Sequence, residues 1–199
     1  MKVVIIKYNA GNVQSVLFAL ERIGLKAVLS DEPEVILRAD KIIFPGVGEA
    51  GSAMRALREK NLDKLIPSLK QPVLGICLGM QLLCKYSEEG DTKCMSVFET
   101  EAKKFRGELK IPQIGWNKIK TANSKQQTAN LLSGMDATEP YFYFVHGYYV
   151  EKNEYTTSET SYMLNYSSAM RKNNFYAVQF HPERSGKAGE QLLRNFIAL

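Results

Sequence analysis

The order of apolar runs and helix-spaced segments in the first half of the chain restricts the fold more than any other feature of the sequence. The predicted strands are VVIIKY (3–8), KAVLS (26–30), KIIFPGVG (41–48) and PVLGIC (72–77). The predicted helices are 12–23, 34–40, 49–59, 61–69 and 78–86. Asn12 is the expected N-cap of the first helix and Gly24 its expected end. Strands that alternate with helices in this way join through right-handed crossovers into a parallel sheet.

After Gly90 the sequence changes to β-rich segments that are separated by turn residues. These segments are 96–105, 114–120, 141–152, 155–172 and 173–183. They favour hairpins that extend the sheet with antiparallel strands, and an amphipathic helix over 185–199 ends the chain. No repeat, low-complexity tract or linker interrupts the sequence, so residues 1–199 are predicted to form one α/β domain. Its central sheet is mostly parallel, with helices on both faces and an antiparallel extension in the C-terminal half.

Composition excludes several classes of protein. The net charge is +5, but the basic residues are scattered, which argues against nucleic-acid binding and leaves a basic face for an acidic partner or a phosphorylated ligand. No apolar run reaches the roughly 18 residues of a membrane span, and the start lacks the pattern of a signal peptide. Three irregularly spaced cysteines do not form a disulfide framework, so a cytoplasmic protein is expected. No metal or cofactor is predicted.

Cys77 lies between two glycines where a predicted strand meets a predicted helix. Gly-Ile-Cys-Leu-Gly over 75–79 has the form of a nucleophile elbow, in which a sharp turn projects the nucleophile above the sheet. The start of a helix favours a thiolate, and the amide of Leu78 can donate to an oxyanion. We therefore predict that Cys77 is a nucleophile. Cys84, expected on the same helix, and Cys94, expected in a loop or edge, are predicted to be structural.

A cysteine nucleophile that acts on an acyl group needs a base, and the chain contains two histidines. His146 lies in an aromatic strand, where a packed and hydrogen-bonded histidine is expected. His181 follows a strand, Pro182 ends the ladder, and Glu183 can orient the imidazole. These positions predict a Cys77, His181 and Glu183 constellation. The loop PGVG (45–48) also leaves a strand at the same sheet edge, so its amides can face a substrate.

Six ordered motifs carry a resemblance to a known family. They are PGVG (45–48), GICLGMQLL (75–83), SEEG (87–90), GWN (115–117), YFVH (143–146) and FHPERSG (180–186). Together they resemble class I glutamine amidotransferases, which carry Cys in G-x-C-x-G and His-Pro-Glu near the C-terminus. Within that class the motifs are similar to those of the glutaminase subunits of imidazole glycerol phosphate synthase. The resemblance implies a flavodoxin-like α/β fold.

The resemblance also implies an activity and a division of roles. Cys77 would attack the carboxamide of L-glutamine, His181 would move protons, and Glu183 would orient His181. The remaining implied residues are the oxyanion donors Leu78 and Val47 or Gly48, the substrate contacts Gly48, Gln81, Glu89 and Tyr143, and the interface residues Asn12, Trp116, Asn117 and Arg184. The ammonia would pass to a (β/α)₈ synthase (cyclase) subunit, HisF, in a heterodimer. That partner would activate the glutaminase through a backbone rearrangement at PGVG.

Three positions depart from the family pattern, and three other functions remain open. Asn9 stands where the family usually has Gly, Gly147 stands where it often has Ser or Thr, and Arg184 stands where it usually has Lys. The first alternative is a paralogous glutaminase that feeds another synthase, such as one for amidino sugars. The second is a different cysteine hydrolase, although papain-like enzymes use Asn as the orienting residue and other elbow proteins carry His directly after Cys. The third is a partner-binding module with a decayed site.

Overall fold

The computed structural model describes residues 1–8, 12–122, 129–135 and 140–199. The strands are Val3–Ile6 (β1), Ala27–Ser30 (β2), Lys41–Gly46 (β3), Val73–Cys77 (β4), Cys84–Ser87 (β5), Thr92–Lys93 (β6), Phe98–Lys104 (β7), Gln113–Lys118 (β8), Lys120–Thr121 (β9), Tyr141–His146 (β10), Tyr148–Val150 (β11), Thr156–Tyr162 (β12), Leu164–Lys172 (β13) and Phe175–Val178 (β14). The helices are Val13–Arg22 (α1), Pro33–Leu37 (α2), Ala50–Glu59 (α3), Leu62–Ser68 (α4), Leu78–Leu82 (α5), Ala129–Leu132 (α6) and Gly186–Ala198 (α7), with a 3₁₀ turn at Pro182–Arg184.

The central sheet has eight strands in the order β2-β1-β3-β4-β14-β13-β12-β9. The first five strands in that order, which are β2, β1, β3, β4 and β14, run parallel to one another. The remaining strands β13, β12 and β9 are antiparallel. The parallel part has the strand order of flavodoxin-like doubly wound folds, which bind ligands at the carboxyl ends of their strands. The predicted fold class is confirmed.

Helices cover both faces of this sheet because both faces of its parallel strands are apolar. Along β1, Val4 and Ile6 belong to a core that also contains residues of α3, α4 and α5. Val3 and Ile5 belong to a second core, which contains residues of α1 and α7. All four side chains are buried. The sheet is therefore a rigid layer between two cores, and its carboxyl edge can hold side chains in fixed positions.

The β-rich half of the chain is divided among more sheets than the sequence predicts. Besides the antiparallel extension of the central sheet, β8 pairs with β10, and β11, β7, β5 and β6 form a four-stranded sheet. The division occurs at Gly147, because β10 pairs with β8 up to His146 and β11 pairs with β7 from Tyr148 onwards. The apolar pattern of one segment, 141–152, thus serves two sheets.

The predicted helix over 78–86 is wrong in its second half. Helix α5 ends at Leu82, and Cys84–Ser87 forms strand β5. The chain leaves the helix because the carbonyl of Leu83 accepts a hydrogen bond from the amide of Phe98, which begins the pairing of β5 with β7. Cys84 is therefore on a strand, and it is buried as predicted. Cys94 follows β6 outside any strand and is also buried.

The boundaries of the first helix agree with the sequence. The Asn12 side chain accepts a hydrogen bond from the amide of Ser15 at 3.4 Å, as an N-cap does. Gly24 has a φ of +83° just after the helix, a conformation that favours glycine. Among the helices of the described residues, none has both the length and the hydrophobicity needed to cross a membrane.

Candidate active site

The end of β4 bends sharply at Cys77. This residue has φ 55° and ψ −109°, a conformation that is costly for a residue with a side chain. The glycine after the bend allows it, because a Cβ on Gly79 would lie 2.0 Å from the carbonyl oxygen of Phe44 on β3. A Cβ on Gly75 would lie 2.7 Å from a methyl carbon of Leu83. Both glycines of the motif are required by close packing, as a nucleophile elbow requires.

His181 and Glu183 form a buried pair at the end of β14. The amide of His181 donates to the carbonyl of Tyr143 at 2.8 Å, which holds the residue against β10. The Nδ1 atom of His181 lies 2.7 Å from Oε1 of Glu183, and the Glu183 side chain is only 2% exposed. The other carboxylate oxygen, Oε2, is buried and has no hydrogen-bond partner among the described residues. The imidazole is therefore the main group that compensates the charge of this carboxylate.

The His181 ring also lies close enough to the Cys77 side chain for the two groups to influence each other's charge. Burial of the ring lowers the pKa of His181, but Cys77 and Glu183 outweigh burial and raise the pKa to about 10. An imidazolium between a sulfur and a carboxylate is favoured because each neighbour can carry a negative charge. The structure thus brings the three predicted residues together, with the imidazole between the other two.

His146 lies near this site in a different state. Its Nδ1 lies 2.7 Å from the carbonyl oxygen of Tyr148, and its Nε2 lies 3.1 Å from the hydroxyl of Tyr166. Burial lowers the pKa of His146 to about 4, with a smaller opposing effect from the Tyr148 carbonyl. The packed, hydrogen-bonded histidine predicted at this position is confirmed, and it is neutral near pH 7.

The loop after β3 lies beside Cys77. The hydroxyl of Tyr8 donates to the carbonyl of Pro45 at 2.6 Å and anchors the start of the loop. Gly48 has a φ of +103°, which favours glycine, and the Val47 side chain is 40% exposed. Neither residue packs into a core.

A cavity of about 300 Å³ joins these elements. Its size is at the lower end of the range for small-molecule sites. The predicted residues that line it are Asn12, Val47, Gly48, Cys77, Leu78, Gln81, Glu89, His181 and Arg184. The lining also includes Pro112, Val145, His146, Gly147 and Tyr148. Tyr143, Trp116 and Asn117 do not line the cavity. The Tyr143 ring packs against Trp116, with the ring centroids 6.0 Å apart.

Glu89 contributes a carboxylate to the cavity. It is half-buried, and its Oε2 accepts a hydrogen bond from the amide of Ala50 at 2.9 Å. Burial raises the pKa of Glu89, the Ala50 amide opposes this, and the nearby Glu49 adds to the rise. A bound cation would compensate the negative charge of Glu89, which burial and the nearby Glu49 both disfavour. The position therefore suits the ammonium group of an amino acid.

Comparisons with known proteins agree with this geometry. Residues 4–199 match the family described as glutamine amidotransferase class-I. The chain belongs to the class I glutamine amidotransferase family. This amidotransferase is 50% identical over 202 residues to the Bacteroides fragilis protein named imidazole glycerol phosphate synthase subunit HisH, with 100% of both chains covered. The protein of that name from Idiomarina loihiensis is 45% identical over 201 residues, covering 100% of this chain and 98% of that protein.

A solved structure supports the fold of the amidotransferase independently of close sequence similarity. PurLQS from Thermotoga maritima matches with a TM-score of 0.72 and 15% sequence identity. The match covers 99% of this chain and 97% of that chain. Such a low identity shows a common fold and nothing finer.

One polar residue of the amidotransferase site is absent from the sequence predictions. Gln179 is fully buried, and its Nε2 lies 3.7 Å from the Sγ atom of Cys77. Its Oε1 accepts a hydrogen bond at 2.9 Å from Gln81, whose Nε2 also donates to the carbonyl of Tyr148 at 3.1 Å. The available signal was a single amide in the otherwise apolar run FYAVQF (175–180).

Of the four residues predicted to contact a partner, two line the cavity and two lie on strand β8 outside its lining. Trp116 is 56% exposed on β8, and the side chain of Asn117 donates to the carbonyl of Ser161 at 2.9 Å. Asn12 and Arg184 line the cavity itself. Asn9, where the chain departs from the family pattern, lies outside the described residues. Among the described residues, no group of three or more His, Cys, Asp and Glu could hold a metal ion.

Proposed function

We propose that this chain is the glutaminase subunit of imidazole glycerol phosphate synthase, and that Cys77, His181 and Glu183 carry out its chemistry. The observation that carries the proposal is the arrangement at the cavity, where the Cys77 side chain meets a buried imidazole bonded to a carboxylate at 2.7 Å. Relatives named HisH at 45–50% identity over the full chain support the choice of pathway. Residues 1–199 then act as one amidotransferase domain in the cytoplasm.

In the first half of the reaction, the Cys77 thiolate attacks the carboxamide carbon of glutamine. The resulting oxyanion is held by the amides of Leu78 and of Val47 or Gly48, and one such donor is typically worth about 10²–10³ in rate. Because the sulfur loses its negative charge on attack, a main cause of the raised pKa of His181 disappears. The imidazolium becomes more acidic at that moment and protonates the leaving nitrogen, so ammonia leaves and a thioester forms.

In the second half of the reaction, water hydrolyses the thioester. His181, now neutral, takes a proton from the water as it attacks the acyl carbon. The tetrahedral intermediate collapses to glutamate and the thiolate, and the imidazolium beside it is restored. Glu183 holds the ring in one orientation through both steps, since its Oε1 contacts Nδ1 and leaves Nε2 for the chemistry.

Recognition of glutamine depends on cavity residues other than Cys77 and His181. Glu89 accepts the α-ammonium group, and Gln81 offers its Oε1 because both hydrogens of its Nε2 are directed to protein oxygens. Gly48 contributes backbone at the mouth. We leave Tyr143 out of the substrate contacts, because its ring packs against Trp116 rather than in the cavity.

Ammonia released into water near pH 7 is mostly protonated and is then no nucleophile. The glutaminase therefore needs a docked synthase subunit, HisF, which uses ammonia to form imidazole glycerol phosphate and aminoimidazole carboxamide ribotide in histidine biosynthesis. Trp116 and Asn117 on one side and Asn12 and Arg184 on the other are the proposed contacts. This partner explains why a solvent-exposed apolar surface lies close to the cavity mouth.

The proposal is tested by assaying glutamine hydrolysis with and without purified HisF and its nucleotide ligand. We expect HisF with its ligand to increase hydrolysis, and Cys77→Ala to abolish glutamine-dependent synthesis while synthesis from ammonium salts continues in the complex. Equal loss of both activities would contradict the division of labour. A glutaminase that serves a different synthase would not restore growth without histidine in a strain that lacks this subunit.

A further inference from the structure

We propose that Gln179 is a positioning residue that donates a hydrogen bond to the Cys77 sulfur, and that Gln81 fixes the orientation of its amide. The inference deepens the proposed function, because it assigns a role at the same cysteine. It concerns the state of the sulfur before any substrate binds.

The main chain places Gln179 beside Cys77. Strands β14 and β4 are parallel, with Ala177 opposite Gly75 and Val178 opposite Ile76. The next residues along the two strands are Gln179 and Cys77, so they leave the sheet side by side at its carboxyl edge. The amide of Gln179 donates to the carbonyl of Ser168 at 2.9 Å, which holds its backbone on the antiparallel neighbour β13.

The direction of the Gln179 amide follows from a fixed acceptor. The carbonyl of Tyr148 can only accept hydrogen bonds, so the Gln81 atom 3.1 Å away from it must be the NH₂ group. That same Nε2 lies 2.9 Å from the Gln179 side chain, which must therefore present its oxygen to Gln81. The NH₂ group of Gln179 is left facing the sulfur at 3.7 Å. Reversing the Gln81 amide would place its oxygen against the Tyr148 carbonyl, which is two acceptors, and reversing the Gln179 amide would place two NH₂ groups against each other in the interior.

A donor at this position acts on the charged form of the sulfur. Gln179 is fully buried and Cys77 is 6% exposed, so few water molecules can replace the amide as a donor to the thiolate. Hydrogen bonds to charged groups are stronger than those between neutral groups. The amide therefore favours the thiolate, whereas the Val145 carbonyl, 3.6 Å from the sulfur, can accept only from the thiol.

Other titratable groups act on the same sulfur and must stay constant in any test. His181, Tyr8 and Tyr166 interact with it electrostatically. Other ionisable side chains line the cavity, namely His146, Glu89, Tyr148 and Arg184. Glu183 acts through His181. A substitution of Gln179 by an uncharged side chain changes none of these groups, so a difference from the unaltered protein reports on the amide.

The test is the rate of Cys77 alkylation by iodoacetamide as a function of pH, measured on the full chain without glutamine. Gln179→Met keeps the length of the side chain and removes the donor, and we expect the pH midpoint of alkylation to rise by about one unit. Gln81→Met removes the group that orients Gln179, and a smaller rise is expected. Gln71→Met is the matched control, because Gln71 donates to Ile36 at 2.9 Å beyond the opposite end of β4.

An unchanged midpoint in Gln179→Met, or an equal rise in the Gln71→Met control, would overturn the proposal. Should Gln179→Met fail to fold, as judged by circular dichroism, Gln81→Met decides in the same way. A loss of packing alone would lower the melting temperature without moving the alkylation midpoint. The readout needs no glutamine hydrolysis. If the unaltered chain did not hydrolyse glutamine but Gln179→Met still raised the alkylation midpoint, the proposed function would fail and this inference would stand.

Discussion

The charge on the His181 ring depends on whether the Cys77 sulfur is free or bound to an acyl group. With a free sulfur, Cys77 and Glu183 together favour the imidazolium despite its burial. With an acylated sulfur, only Glu183 opposes burial, and the ring gives up its proton more easily. At the scale of single residues, the site therefore couples the formation of the carbon–sulfur bond to the release of a proton.

A comparison of the two histidines tests which one serves the sulfur. We expect His181→Ala to lower kcat/KM for glutamine by about 10³ or more, since general acid–base catalysis is typically worth about 10²–10⁴. We expect His146→Ala to lower it far less, because His146 is neutral and bonded to Tyr148 and Tyr166. Steady-state kinetics on protein shown to be folded measures both. The reverse ranking would remove the role assigned to His181.

The low pKa of His146 predicts a loss of stability in acid. The folded-state pKa of about 4 lies below the ordinary histidine pKa of 6.5, so between these pH values the unfolded chain binds a proton that the folded chain does not. Stability therefore falls as the pH falls through this range, by about 3 kcal/mol from this residue. His181 contributes little to that change, because at a pH below 6.5 it is protonated in the unfolded chain as well as in the folded chain, where its pKa is raised.

Urea unfolding of the unaltered chain and of His146→Gln at several pH values from 4 to 7 measures this effect. Because Gln cannot titrate, we expect the free energy of unfolding of the His146→Gln variant to fall less in acid than that of the unaltered chain. Parallel curves for the two proteins would show that the buried imidazole is not the group responsible. The carboxylates are the same in both proteins and cancel in the difference.

At the scale of the elements, three parallel strands position the chemistry. Cys77 ends β4, PGVG spans the last two residues of β3 and the two after it, and His181 follows β14, with β4 between the other two strands. The sequence predicts this meeting point, because carboxyl ends of parallel strands lie at one edge. It does not predict the end of α5 at Leu82, since CKYS is too short a run to separate a strand from a helix turn.

Other parts of the site could not be predicted because they depend on which strands become neighbours. Gln179 contacts the sulfur only because β14 pairs with β4, a pairing between distant parts of the sequence. Tyr143 contacts Trp116 because β8 and β10 pair in a register that places the two residues opposite each other. Motifs identify residue types along the chain, whereas these contacts arise between chain segments.

The close approach of α5 to β3 predicts a severe effect of Gly79→Ala. The added Cβ would lie 2.0 Å from the carbonyl oxygen of Phe44, so a helix or a strand must move. We expect the free energy of unfolding to fall by about 2 kcal/mol or more, which lowers the melting temperature by roughly 4–8 °C in a chain of this size. The matched control is Gly147→Ala, whose Cβ would meet Ile111 at an ordinary 3.7 Å. A similar melting temperature for both variants would show that the elbow tolerates a wider separation.

At the scale of the whole molecule, the small sheet of β8 and β10 connects an exposed surface to the nucleophile. Ile114, Trp116 and Tyr141 on its outer face are each more than half exposed. Val145 pairs with Ile114 in register and lines the cavity, where its carbonyl oxygen lies 3.6 Å from the Cys77 sulfur. A partner that covers this face would therefore press on an element in direct contact with the sulfur.

This connection predicts that Trp116→Ala weakens binding of HisF. A half-exposed tryptophan at the centre of an interface is typically worth about 2 kcal/mol or more, so we expect the dissociation constant to rise by roughly 30-fold. Phe18→Ala is the matched control, because Phe18 is 51% exposed on α1 and lies outside both the cavity and the outer face of β8 and β10. Isothermal titration calorimetry measures both variants.

Because Trp116 does not line the cavity, glutamine hydrolysis by the free subunit should be unchanged, and the loss of HisF activation should be recovered at high HisF concentration. Equal weakening by Phe18→Ala, or a loss of basal hydrolysis in Trp116→Ala, would show that the tryptophan supports the fold rather than the interface.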